Sequence, residues 1–248
     1  MRDQAHCLSS IHHLLHMALS DHRPIRILEA GGGSYSHIRL DRASHISVID
    51  ISPEQLSRNT YADKRILGDL EAPDAIDGLY DLIVCFDVLE HLKRPNLALS
   101  HMVAGLDKGG LLVIGCPNRS STKGMITRFT PHNFHVWYYK TIRGVPDAGQ
   151  PGHAPFETFL DAYMGFEVVQ RQLEEAGLAI RLANRYEGPA ANELQSKKPF
   201  LYALYDLPAA FLRALGQSDE ALAATDWIIV AQKPAQSSEK EFSTKRQA

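Results

Sequence analysis

Ile27-Leu28-Glu29-Ala30-Gly31-Gly32-Gly33-Ser34 is an apolar run that ends in an acid and meets a glycine cluster. This is the pattern of a strand feeding a tight turn and a helix. Glycine permits positive φ there and lets a ligand come close to the backbone. Nineteen positions after Gly31, the run Ile46-Ser47-Val48-Ile49 ends in Asp50. A carboxylate at the tip of a neighbouring strand can accept both hydroxyls of a ribose. Spacing and chemistry together point to a nucleoside.

A dinucleotide fingerprint would carry a third glycine at position 36, where this chain has Ser36. Glu29 would also add negative charge beside a pyrophosphate. A carboxylate better suits a ligand with a cationic end, such as the sulfonium and ammonium of S-adenosylmethionine. Here the chain resembles the class I S-adenosylmethionine-dependent methyltransferases, whose first motif reads acid-x-Gly-x-Gly-x-Gly. It departs at the third glycine, where Tyr35 stands. Gly68-Asp69-Leu70 and the stretch Tyr80–Leu92 follow in the family's order. The resemblance is dense over 25–116 and loose over 165–232. It implies S-adenosylmethionine as cofactor, held by Glu29, Gly31, Gly33, Asp50, Ile51, Asp69, Leu70, Phe86 and Asp87, with Asp69 reaching the adenine amino group.

Methyl transfer from a sulfonium is an in-line displacement, so holding the reactants in line can supply roughly 7–11 kcal/mol. An oxygen acceptor must also lose a proton, and neutral histidine is the natural base near neutral pH. The candidates are His91, His132, His135 and His153. The resemblance favours His135, a histidine followed by aromatics a short way past the fifth strand, with His132 next and His91 third. The favoured function is O-methylation of a small molecule, sugar or lipid-linked precursor without a resident metal. N- or C-methylation stays open, as does a non-catalytic cofactor-binding protein of the same fold, hinted at by Tyr35. Asp87-x-x-Glu90-His91 offers another alternative. On one helix face, with His132 or His135, these residues could bind a divalent ion that acidifies a hydroxyl. This set resembles one used by small-RNA 3′-end and ubiquinone-pathway O-methyltransferases. The same Asp and Glu also fit a plain helix cap with its capping box.

The elements that must position these residues alternate strand with helix, predicting an α/β doubly wound, mostly parallel seven-stranded sheet with helices on both faces and an antiparallel last strand. The strands are 27–30, 46–50, 65–67, 80–86, 109–115, 179–186 and 226–231. Helices are expected at 5–20, 34–40, 53–59, 95–106 and 163–176. The first should pack at the sheet edge with His12 and His16 outside. One methyltransferase domain is expected over 1–235, with the N-terminal helix inside 1–22, insertions at 117–161 and 187–225, and a disordered tail at 236–248. The first insertion hangs over the ligand edge of the sheet, and its aromatics Trp137, Tyr138 and Tyr139 should wall the acceptor pocket. The second holds two short amphipathic stretches, 199–207 and 208–215, suited to a structural cover, a homodimer face or a membrane-surface helix.

Composition sets outer bounds. The 248 residues are 44% hydrophobic and 22% charged, as in ordinary globular chains. A net charge of −3 gives no footprint for nucleic acid. No apolar run is long enough to span a bilayer, and the N-terminus lacks a signal-peptide pattern. Cys7, Cys85 and Cys116 read as reduced thiols, so a cytoplasmic location is expected.

Overall fold

A computed structural model describes residues 4–19, 23–38, 40, 44–188, 196, 199–216, 222 and 224–235. Seven strands form one sheet: β1 (Ile25–Ala30), β2 (Ser44–Asp50), β3 (Lys64–Leu67), β4 (Tyr80–Phe86), β5 (Leu106–Pro117), β6 (Ala179–Tyr186) and β7 (Asp226–Gln232). Their order across the sheet is β3-β2-β1-β4-β5-β7-β6, and β7 runs antiparallel to both neighbours. The order reverses between β1 and β4, the point where open α/β sheets leave a crevice at the carboxyl ends of their strands. The expected doubly wound sheet is therefore present.

Side chains alternate along each central strand, so the sheet carries two apolar faces. On one, Leu28, Ile83, Cys85, Leu112, Ile114, Trp227 and Ile229 pack with Ala98, Leu99 and Met102 of α3 (Pro95–Ala104) and with Val169 and Leu173 of α6 (Phe166–Glu175). On the other, Ile27, Leu82, Val84, Val113 and Val230 meet Cys7, Ile11 and Leu15 of α1 (Gln4–Ala18). α1 lies against the edge strand β6 and leaves His12 and His16 exposed, as its periodicity predicts. α2 (Pro53–Arg58) starts on a Ser52 cap whose hydroxyl accepts from the Gln55 N–H, with Pro53 at the first helical position.

Three expectations need correction. Residues 34–38 and Leu40 form turn and loop, not a helix. Ser34, Ser36 and Asn59 side chains tie this segment to its surroundings, and local side-chain bonds of this kind compete with helical pairing. The helix expected at 163–176 is split into a 3-10 turn (Ala162–Met164), capped by Asp161 at the Tyr163 N–H, and α6, because Gly165 between them is extended (φ −64°, ψ 142°). The two stretches of the second insertion are one helix, α7 (Pro199–Ala214), which runs through Pro208. The first insertion contributes α4 (Thr122–Phe129) and α5 (His132–Thr141). The 236–248 tail lies outside the described residues.

An ion cluster fastens the amino ends of β1, β4 and β5. Asp81 accepts from both guanidinium nitrogens of Arg23 (2.7 and 3.1 Å) and from the Arg26 backbone N–H (2.8 Å), while Arg26 also donates to Asp107 (2.6 Å). Burial alone would raise the Asp81 carboxyl, but these donors outweigh it and hold it at about 2. Because the folded value lies below the unfolded one, this stabilisation is complete above about pH 4 and fades as pH falls toward 2. Asp81→Ala should cost about 1.5–3 kcal/mol in urea denaturation at neutral pH, with the gap from wild type closing in acid.

Candidate active site

β1 delivers Ala30 into the turn Gly31–Gly33. The sheet pairing continues past the strand ends, with Gly31 N–H donating to the Ile49 carbonyl (2.7 Å) and Gly68 N–H to the Asp50 carbonyl (3.0 Å). Gly31 has φ +70°, and a Cβ there would stand 2.4 Å from Val88 Cγ2, in the turn after β4. Gly33 also has positive φ, +48°, but its Cβ would meet only the amide end of Gln55 at 3.1 Å and Asp50 Oδ2 at 3.4 Å. Glycine at 31 thus serves the approach of two turns, whereas Gly33 keeps space beside Asp50.

Glu29 does not line the cleft. It is 2% exposed and lies beneath the turn, accepting from the Ser36 hydroxyl and from the Tyr61 hydroxyl (2.6 Å). Burial and the Glu29 charge push the Tyr61 phenol upward, so it remains a donor. Asn59, also buried, donates to the Gly33 carbonyl (2.7 Å) and accepts from the Tyr61 and Ala62 N–H groups. Tyr61 and Asn59 follow α2 and clamp the glycine turn from below.

Above the turn opens a cleft of about 970 Å³ along the carboxyl ends of the strands. Of the nine residues expected to hold a cofactor, Gly31, Gly33, Asp50, Ile51, Asp69, Leu70, Phe86 and Asp87 line it. Asp50 Oδ1 accepts from the Ser52 N–H at 2.8 Å. Burial raises its carboxyl, opposed by the N–H groups of Ser52, Gly33 and Ile51. Asp69 accepts from the Glu71 N–H at 2.8 Å.

The other end of the cleft holds two imidazoles and an acid. Asp87 stands in the left-handed region, φ +54°, and burial raises its carboxyl. His37 stacks on Phe86, with centroids 5.0 Å apart and planes 15° from parallel; burial lowers its pKa against the opposing pull of Asp87. His91 lies in the short 3-10 turn Leu89–His91. Its Nδ1 is 2.6 Å from the Glu157 carbonyl, which can only accept, so the neutral ring carries its proton on Nδ1 and leaves Nε2 basic. Burial lowers its pKa too. Phe156, edge-on to His91 at 5.8 Å, joins Glu157 and Phe159 in closing the cleft. Of the first insertion, Phe156, Glu157 and Phe159 line the cleft, and Trp137, Tyr138 and Tyr139 do not.

His135 and His132 do not line the cleft. The Thr130 hydroxyl donates to the Ile126 carbonyl (2.7 Å), so the 2.8 Å bond to His135 runs from Nε2–H to Thr130, fixing that ring at the α4–α5 corner. His132 opens α5, and His153 accepts from Arg58 at 2.8 Å. The capping box is absent, since Val88 precedes the 3-10 turn and makes no side-chain cap bond. Glu90 is buried with the Cys116 thiol 3.5 Å from its Oε2, and burial together with Asp87 pushes its carboxyl up. Among the described residues, no three His, Cys, Asp or Glu side chains gather to hold a metal ion.

The family match decides the class. A methyltransferase-domain family matches residues 2–182. The chain belongs to this methyltransferase family. It is an enzyme that uses S-adenosylmethionine, and the cleft offers what such a ligand needs: a glycine turn that a Cβ would crowd and a carboxylate at each of two strand tips. Solved structures share the fold. A putative sarcosine dimethylglycine methyltransferase from Galdieria sulphuraria is 16% identical with a TM-score of 0.54, over 93% of this chain and 86% of that one. An S-adenosylmethionine-dependent methyltransferase from Archaeoglobus fulgidus is 16% identical with a TM-score of 0.51, over 91% and 94%. The cyclase SpnF is 13% identical with a TM-score of 0.51, over 92% and 81%. No curated protein matches the sequence.

His37, Tyr61 and Phe156 escaped sequence reasoning. The signal for His37 was its position six residues beyond Gly31 in a segment expected to be helical. Tyr61 and Phe156 reach the site only through the folding of the chain and leave no local pattern.

The two glycines should behave differently in this methyltransferase. Gly31→Ala combines backbone strain of about 1–2 kcal/mol with a collision against Val88, whereas Gly33→Ala carries the strain and displaces only the end of Gln55. Urea denaturation should find Gly31→Ala the less stable, and Val88→Ala should partly restore Gly31→Ala but not Gly33→Ala.

Proposed function

We propose that this enzyme methylates a hydroxyl group of a small molecule, a sugar or a lipid-linked precursor, with His91 as general base. S-adenosylmethionine, when bound, supplies the activated methyl group. Asp50 takes the ribose hydroxyls, Asp69 the adenine amino group, and the Gly31–Gly33 turn lets the ligand approach the backbone. Glu29 acts from beneath as a positioning residue for that turn. The acceptor occupies the end bounded by His37, Asp87, His91 and Phe156.

The observation that carries the base assignment is the bond from His91 Nδ1 to the Glu157 carbonyl. It leaves Nε2 able to take a proton, and burial keeps the ring neutral at physiological pH. His135 and His132, the histidines favoured by the sequence, do not line the cleft, and Thr130 engages the His135 ring. Cys7, Cys85 and Cys116 are buried and form no disulfide, which supports work in a reducing compartment, the cytoplasm.

With an acceptor found by screening hydroxylated small molecules, His91→Asn should lower kcat by about 10²–10⁴ and leave S-adenosylmethionine affinity unchanged, while His135→Ala stays near wild type. Because burial lowers the His91 pKa, kcat should rise with pH through a midpoint below the ordinary histidine value of 6.5 and fall as pH drops through it. An unchanged kcat in His91→Asn would place the base elsewhere.

A further inference from the structure

From Asn118 to Pro146 the chain has no Asp or Glu, but it has Arg119, Lys123, Arg128, Lys140 and Arg143, in a protein whose net charge is −3. The same stretch builds α4 and α5, and α5, ten residues long, has no buried residue. Phe129 is 79% exposed, Ile142 60% and Trp137 51%, and Phe134 packs its ring 5.6 Å from that of Trp137 in the open. Arg128 and Arg143 lie over the Phe129 and Tyr139 rings, at 5.8 and 5.1 Å. Lys123 is paired with Asp226, which leaves Arg128, Lys140 and Arg143 as the exposed cations among the aromatics. Large aromatic and aliphatic side chains mixed with long cationic ones are the composition of a surface that rests in the headgroup layer of a bilayer.

We infer that the α4–α5 face docks on a membrane surface carrying anionic lipid. The occupant follows from charge: Arg128, Lys140 and Arg143 outnumber the exposed acid that borders the stretch, Asp147, and complement a negative surface. A second copy of the chain is the poorer partner, since a twofold contact centred here would set the cationic cluster against itself. No helix among the described residues is long and apolar enough to cross a bilayer, so the contact is peripheral. The chain runs on from this face to the cleft. Val136 of α5 packs at Gly149, the Gly152 carbonyl accepts from Gln55 beside the glycine turn (2.8 Å), and the chain then supplies Phe156 and Phe159 to the cleft wall. The inference concerns docking alone and stands whichever residue is the base.

Vesicle sedimentation with the full chain tests it, using phosphatidylcholine alone and phosphatidylcholine mixed with phosphatidylserine. Binding should favour the anionic vesicles, weaken with salt, and fall by roughly tenfold or more in the variant R128E/K140E/R143E, whose S-adenosylmethionine affinity reports an intact fold. The chain has two tryptophans, and Trp227 is fully buried, so a vesicle-induced blue shift reports Trp137 and should vanish in Trp137→Phe. Equal binding to both vesicle types, or binding unchanged by the charge reversal, would overturn the inference. So would a concentration-dependent dimer in sedimentation velocity that the same substitutions dissolve, which would assign the face to a second copy.

Discussion

The cleft depends on how closely the turn after β1 can approach the turn after β4. These strands are neighbours at the point where the sheet order reverses, so their turns diverge to opposite sides and leave the crevice between them. Gly31 sets that approach, because Val88 occupies the space a Cβ would need. Glu29 fixes the same turn from below through Ser36 and Tyr61, and Asn59 holds the Gly33 carbonyl. Movement in any of these contacts would shift the wall that carries His37 and the edge that carries Asp50. The acid of the first motif thus acts as a buried brace whose carboxylate is already engaged by the protein.

Much of the architecture was legible in the chain because it is local. Alternation and apolar runs mark β1, β4, β5 and β7, since strands buried on two faces leave few other residue choices. Asp50 could be placed at a strand tip by counting from Gly31. What failed was closure over distance. The segment 34–38 has the look of a helix start, yet Ser36 spends its hydroxyl on Glu29, and no periodicity within seven residues reports that bond. The aromatic residues of α5 seemed natural pocket walls by composition, but the wall is built by Phe156 and Phe159 after the insertion folds back. Pro208 suggested a break, whereas the helix continues through it. Choosing among the histidines likewise needed the neighbours of each ring. Thr130 occupies His135, and Glu157 leaves His91 Nε2 with its lone pair.

The electrostatics divide the cleft into two halves. Beside the glycine turn, burial raises the Asp50 carboxyl, and the backbone N–H groups of Ser52, Gly33 and Ile51 oppose that rise. Around Asp87, burial favours neutral imidazoles at His37 and His91 and raises the Asp87 carboxyl. The ion cluster at Asp81 lies at the opposite ends of the same strands, where charge serves stability without touching the cleft.

The central claim is that this cleft holds S-adenosylmethionine with its ribose on Asp50. Calorimetric titration of wild type and Asp50→Ala tests it directly. Leaving two hydroxyls without their acceptor should weaken binding by about 1.5–3 kcal/mol, at least tenfold in affinity, with little change in melting temperature. Equal affinity in the two proteins would contradict the account and move the cofactor away from the tip of β2.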